Sequence, residues 1–382
     1  MVMPYRDGFM KHAYFPALDG LRCLAIAIVM LAHADVKYLR SGGIGVDIFF
    51  ALSGFLITTI LRSEFDRYGS IRFGNFYIRR FLRLLPAFVV AAMFVLVQFR
   101  LVTGEWPVGK LMLALGYVMN WAKVLTGSPR FPMGHSWSLA IEEQFYLVWP
   151  LIVTLICTAT ASKKARFFAM LSFALGVAVY RALMVGHYSA IRIYFGSDTH
   201  SDGLIMGAAL AFFVTLLPDG RLTDRMSRVT AYVFSPLAMF CLAGAMVVWH
   251  WWDASMGRIG FFVVAVSSTM VILDLVAGSH SLLAGLFTLK PIAWLGKISY
   301  GLYLWHLPIY HAMDELGIPG AWATKLAIGA PLTVGIAALS YYTIEKKFLK
   351  VKDRFSRSVE KPKPAISDDG LPSPVFAGIP FD

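Results

Sequence analysis

The sequence predicts an all-α integral membrane protein with about ten transmembrane helices. Three observations lead there. Of the 382 residues, 58% are hydrophobic and 15% are charged, where a soluble domain carries about 25% charged residues. The apolar residues come in repeated runs of roughly 18 to 22, enough for a helix to cross a hydrocarbon core of about 30 Å. The basic residues behind the net charge of +12 cluster between those runs, as positive-inside loops do. The charge is therefore read as topology, and no nucleic-acid partner is expected.

The predicted spans, in order, are 20–37, 44–62, 84–103, 139–160, 166–186, 202–217, 229–251, 258–277, 298–314 and 323–344. The stretch 108–121 is apolar but short, and is expected to be one re-entrant or interfacial helix. Charge sets the orientation. The linker 62–83 holds Arg62, Arg67, Arg72, Arg79, Arg80 and Arg83 and is placed in the cytoplasm. If 108–121 does not cross, the later basic linkers (Lys163, Lys164 and Arg166; Arg221, Arg225 and Arg228; Lys290 and Lys297) also fall inside. Both termini are then cytoplasmic. Residues 1–17 form a polar segment without a signal-peptide cleavage pattern. Residues 349–382 are basic, then rich in Pro, Ser and Asp, and are expected to be disordered. Cys23, Cys157 and Cys241 sit in apolar runs without metal-ligand spacing. They are read as packing residues, and no metal is expected.

Ionisable residues within a span are costly and point to function. The first span has two, Arg22 and His33. Eleven residues at about 100° each return to nearly the same helix face, and the rise between them is roughly 16 Å. Either residue alone is explained by snorkelling or by polar core packing; the pair on one stripe is not. At the predicted outer depth lie Asp47, His135, Glu142 with Glu143, Asp198, Asp202 and His306. At the inner side, YIRRFLRLLP presents Arg79, Arg80 and Arg83. Beside an embedded Arg22 these suit a multiply phosphorylated ligand, because guanidinium forks bind phosphate bidentately.

Together these segments resemble the acyltransferase-3 family of membrane acyltransferases, which includes O-antigen and exopolysaccharide O-acetyltransferases. LDGLRCLAIAIVMLAHADV looks like the family's first helix, with Arg22 and His33 as its Arg–His pair. GGIGVDIFFALSGFLIT, with Asp47, is similar to its second. IRRFLRLLP matches its basic motif at Arg80 and Arg83. HSWSLAIEEQFYLVWP matches its Trp-Ser-Leu signature at Trp137, Ser138 and Leu139, with Glu142 following. GSDTHSDGLIMGAALA, LGKISYGLYLWHLP and YYTIEKKF resemble its later blocks. The blocks run in the expected order over residues 18–348, read as one transmembrane domain. Cys23 stands where the family usually has glycine. Some members carry a fused esterase-like domain. The stretch after 348 is too short for one, so any second step on the acceptor is expected to need a separate protein.

The resemblance implies acyl-CoA, most simply acetyl-CoA, as a co-substrate with no permanently bound cofactor. It implies a hydroxyl acceptor on a glycan or a lipid-linked sugar, and a multi-pass protein of the bacterial inner membrane. On this reading Arg22, Arg79, Arg80 and Arg83 hold the donor phosphates inside. His33 is the general base, with Asp47 or Glu142 orienting its ring. His135, Trp137, Ser138, Asp198, Asp202, Tyr303 and His306 position the acceptor or the thioester. Direct transfer and a transient acyl-imidazole on His33 both remain open. The competing readings are a small-molecule transporter, and a family member using succinyl-CoA or a non-glycan acceptor. Oligomeric state is not legible.

Overall fold

The computed structural model describes residues 15–355 except 37–38, 40, 128–132 and 319–321. The expected terminal segments 1–17 and 349–382 therefore lie mostly outside the described residues. The described chain is a helical bundle without a sheet. Its helices are α1 Pro16–His33, α2 Gly43–Tyr68, α3 Phe73–Thr103, α4 Val108–Leu115, α5 Met119–Thr126, α6 Trp137–Ala159, α7 Lys163–Met184, α8 Ala190–Phe195 and α9 Asp202–Phe213. Then follow α10 Asp224–Val229, α11 Ser235–Val248, α12 Phe261–Ala277, α13 Leu282–Phe287, α14 Lys290–Lys297, α15 Ser299–Glu315, α16 Trp322–Thr324, α17 Ala330–Ser340 and α18 Lys346–Asp353.

Local chemistry sets many of these limits. Pro16 opens α1, where its missing N–H costs nothing. Gly69 and Gly104 end α2 and α3 with φ of 69° and 76°, left-handed caps that suit glycine. Wide turns at Thr230–Phe234 and Lys325–Gly329 join α10 to α11 and α16 to α17. Pro236 and Pro331 follow them by two residues. A proline cannot donate to the preceding turn, and the ladder widens locally.

A helix lies within each of the ten predicted spans among the described residues, and eight helices are long and apolar enough to cross a membrane. The other two segments are shorter: Asp202–Leu216, and Ser299–Glu315 with 17 residues. Both fall a little short of the ~20 residues a straight crossing needs. The 108–121 stretch is corrected from one helix to two, α4 and α5, of eight residues each. They separate at Tyr117, whose φ is 54° and whose carbonyl accepts from the Gln144 side chain at 2.8 Å. At about 12 Å each, neither crosses a bilayer.

Burial sorts the helices. In α2 and in the helix Met256–Ala277, 72% of the apolar window is buried; in α3, α7, Pro218–Val248 and Trp322–Val351 it is 22–28%. The latter present residues such as Phe81, Met93, Leu183 and Phe240 outward, as lipid-facing helices do. At the centre α9 packs on α2 through glycines. A Cβ on Gly54 would strike the Leu204 carbonyl, and one on Gly207 would strike that of Ala51. Without a hydrophobic drive between helices inside lipid, such close backbone approach is what holds them. It brings the second span and the loop before α9 together, and that places the polar centre.

Candidate active site

His33 is the last residue of α1. Its Nδ1 lies 3.0 Å from the Val29 carbonyl. His306, in α15, has Nδ1 at 3.1 Å from the Leu302 carbonyl and 2.8 Å from that of Tyr303. Carbonyls only accept, so both rings carry a proton on Nδ1. The His306 Nε2, 3.2 Å from His33 Nδ1, is then a second acceptor for the His33 proton. His33 Nε2 is left with its lone pair and no hydrogen bond among the described residues. A base with that nitrogen open is arranged to receive a proton.

A turn at Gly134–Ser136 leads into α6 and puts three more predicted residues nearby. The His135 ring lies 5.4 Å from His306 and 5.3 Å from Tyr303, centroid to centroid. The Tyr303 hydroxyl donates to the His135 carbonyl and accepts from Ser138 Oγ at 2.7 Å. His33, His135, Ser138, Tyr303 and His306 therefore form one cluster.

Asp47 belongs to a second cluster. Its Oδ1 meets His200 Nε2 at 2.8 Å, and His200 Nδ1 donates to the Tyr194 carbonyl at 2.6 Å. Trp137 stacks on His200 at 5.8 Å and 19°. Asp202 pairs with Arg181 at 2.6 Å, both fully buried. Arg181 also donates to the carbonyls of Gly257 and Thr199. Glu142 accepts from Ser53 at 3.0 Å and from Tyr146 at 3.5 Å. The expectation that Asp47 or Glu142 orients His33 is corrected: neither carboxylate is bonded to it, and His306 occupies that place. Asp198 is likewise not in the centre. It is forked by Arg192 at 2.8 and 2.7 Å at the surface. Partial burial pushes its carboxyl up, but the Arg192 bonds outweigh this and leave it below the usual carboxylate range.

At the other end of α1, Arg22 reaches Asp19 at 3.2 Å. Arg22 and Arg80 both lie within electrostatic reach of Arg83 and of Glu142. Neither Arg80 nor Arg83 has a carboxylate within ion-pair distance among the described residues. Arg80 packs over the Tyr146 ring, 4.4 Å from its centroid, and lines a cavity of about 730 Å³ between α3 and α6 with Tyr117, Glu143 and Tyr146. Arg79 departs from the group: it bonds the Phe355 carbonyl at 2.9 Å and approaches Glu64 at 3.7 Å.

Two residues of the centre, Arg181 and His200, lie outside the predicted site set. Arg181 is a charge inside an apolar run, as Arg22 is. His200 stands between Asp198 and Asp202, but its partner Asp47 is 153 residues away, and no spacing reports that.

Comparison with known proteins identifies the family. The sequence model of the acyltransferase-3 family, described as an acyltransferase domain, matches residues 15–342. The peptidoglycan O-acetyltransferase OatA of Listeria monocytogenes is 33% identical over 356 residues, 88% of this chain and 56% of that protein. A provisionally named O-acetyltransferase of Staphylococcus aureus strain COL is 33% identical over 362 residues, 90% of this chain and 59% of its own. A provisionally named peptidoglycan O-acetyltransferase of Bacillus subtilis strain 168 is 33% identical over 353 residues, 88% and 55%. The chain thus spans a little over half the length of these relatives. No solved structure matches it. With one family model running from the start of α1 to just past the end of α17, the chain belongs to the acyltransferase-3 family.

Proposed function

We propose that the chain is a membrane O-acetyltransferase that moves an acetyl group from cytoplasmic acetyl-CoA to a carbohydrate hydroxyl on the opposite side of a bacterial inner membrane. One observation carries the reading: a single unbroken helix joins an arginine cluster at Arg22 to a histidine with an open nitrogen at His33. The names of the relatives support acetyl as the group and a glycan as the acceptor. The basic loops support the arginine end as the cytoplasmic one.

Arg22, Arg80 and Arg83 take the phosphates of the donor, and the cavity beside Arg80, lined by Tyr117, Glu143 and Tyr146, receives the start of its pantetheine arm. The acceptor hydroxyl gives its proton to His33 Nε2 as its oxygen attacks the thioester carbon. The C–S bond breaks, and the departing thiolate takes the proton back from the imidazolium. The products are the acetyl ester and free CoA. His306, holding the His33 Nδ1 proton, fixes the tautomer that leaves Nε2 free.

The test is His33→Ala in the purified chain, reconstituted in vesicles with acetyl-CoA on one side and a glycan acceptor on the other. Ester formation is expected to fall by about 10²–10⁴-fold, the range for loss of a general base. Transfer at the parental rate overturns the assignment. Transfer that runs only with donor and acceptor on the same side overturns the crossing.

A further inference from the structure

A separate cavity of about 240 Å³ opens beside His135, away from the arginine end. Its walls come from three elements: Gln98 and Phe99 of α3, His135 before α6, and Pro308, Asp314 and Glu315 of α15. At ~30 Å³ per water it has room for about eight waters, enough to seat one sugar ring.

Its polar atoms say what it takes. Among the described residues, neither ring nitrogen of the buried His135 has a hydrogen-bond partner within bonding geometry, nor has the Gln98 Oε1. Buried polar atoms are normally paired, so these await a ligand. Gln98 Oε1 needs a donor. A neutral His135 ring needs one donor and one acceptor. Hydroxyls supply both, whereas a carboxylate only accepts and leaves the Gln98 oxygen unpaired. The rim adds a charge criterion. Lys325 is shared by Asp35 and Asp314, each at 3.1 Å. Glu315 is met at 2.9 Å by the neutral Gln98 amide. Asp314 and Glu315 line the cavity together with His311, and because Lys325 is already engaged by Asp35 and Asp314, an anionic guest meets like charge from Glu315. Phe99 and Pro308 offer an apolar wall for the C–H face of a ring. The His135 ring touches the His306 ring, which bonds His33, so a guest hydroxyl on this wall lies beside the base.

We infer that this cavity is the acceptor subsite, that it admits one uncharged sugar residue, and that Gln98 and Glu315 set its preference for hydroxyls over carboxylates. The inference rests on the carbohydrate acceptor proposed above and goes further in naming the ring's charge and the residues that read it.

The experiment is saturation-transfer NMR on the full chain in detergent. The probes are a neutral β-linked glucose tetrasaccharide and the matching glucuronate tetrasaccharide. The neutral probe is expected to bind at least tenfold more tightly. Gln98→Ala should weaken it about tenfold, the loss of one to two hydrogen bonds. Glu315→Gln, which keeps the side-chain shape, should improve uronate binding threefold or more. Equal binding of the two probes, binding of neither, or neutral binding untouched by Gln98→Ala overturns the inference. Release of CoA from acetyl-CoA is measured in the same samples. A chain that binds the neutral probe but never releases CoA keeps the subsite and loses the proposed transfer. A chain that releases CoA and binds neither probe does the reverse.

Discussion

His306 Nε2 lies 3.2 Å from His33 Nδ1, and each ring is anchored through its own Nδ1 to backbone carbonyls one turn earlier. The two imidazoles are therefore locked as a directed pair. His33 gives its only proton away from the open Nε2, and His306 receives it. An acid would do the same work with a full negative charge. A neutral histidine does it without placing an unpaired anion in a low-dielectric site.

The first prediction concerns that pair. His306→Phe removes the acceptor for the His33 proton but fills the space. We expect kcat to fall by about 10–100-fold, because the ring must then find its tautomer and orientation unaided. The KM for acetyl-CoA should change less than twofold, since His306 stands at the far end of α1 from the arginines. His306→Gln, whose amide oxygen can accept, should recover part of the loss. Loss of donor affinity instead, in a titration of acetyl-CoA, would place His306 in the donor site.

The second prediction separates the arginines. Arg80 and Arg83 have no carboxylate within ion-pair distance among the described residues, while Arg79 is held by Phe355 and Glu64. Charge-assisted hydrogen bonds to phosphate are worth about 1.5–3 kcal/mol each. Arg80→Ala and Arg83→Ala should each raise the Kd for acetyl-CoA by about 10–100-fold, and Arg79→Ala by less than threefold. Calorimetry in detergent reads all three, and equal effects would show that charge alone, not position, binds the donor.

The third concerns Arg181 and Asp202, buried together at 2.6 Å. Removing one partner of such a pair costs about 3–5 kcal/mol, because the other charge stays buried alone. Arg181→Met should lower the unfolding temperature in detergent sharply, and Arg181→Met with Asp202→Leu should restore much of it. If the double variant is as unstable as the single one, the pair does more than neutralise itself.

These expectations also mark what the sequence revealed and what it hid. Arg22 and His33 were legible because both lie on one helix, where residue spacing is geometry. The eight helices long and apolar enough to cross were legible because lipid demands long apolar runs. Asp47 was misassigned to His33 because a sequence reports membrane depth but not the neighbour at that depth. Its true partner, His200, comes from across the α2–α9 crossing. Asp198 reads the same in a loop whether it faces a cavity or, as here, Arg192. The break at Tyr117 depends on a left-handed residue fixed by a distant Gln144, and no apolar pattern encodes it.

The last prediction tests the crossing that makes the centre. Gly207 of α9 lies so close to α2 that an added Cβ would strike the Ala51 carbonyl, whereas Gly176 of α7 has nothing within 4 Å. Backbone cannot yield as a flexible side chain can, so Gly207→Val must push the helices apart. We expect a loss of about 1–3 kcal/mol in a denaturant titration in detergent micelles. Gly176→Val should stay within about 0.5 kcal/mol, as an open helical position does. Because Asp47 lies on α2 and His200 just before α9, Gly207→Val should also separate that pair and lower acetyl transfer more than the stability loss alone accounts for. If transfer in the folded fraction is unchanged, the Asp47–His200 bond contributes to neither chemistry nor positioning, and the centre reduces to the histidines of α1 and α15 with the α6 residues beside them.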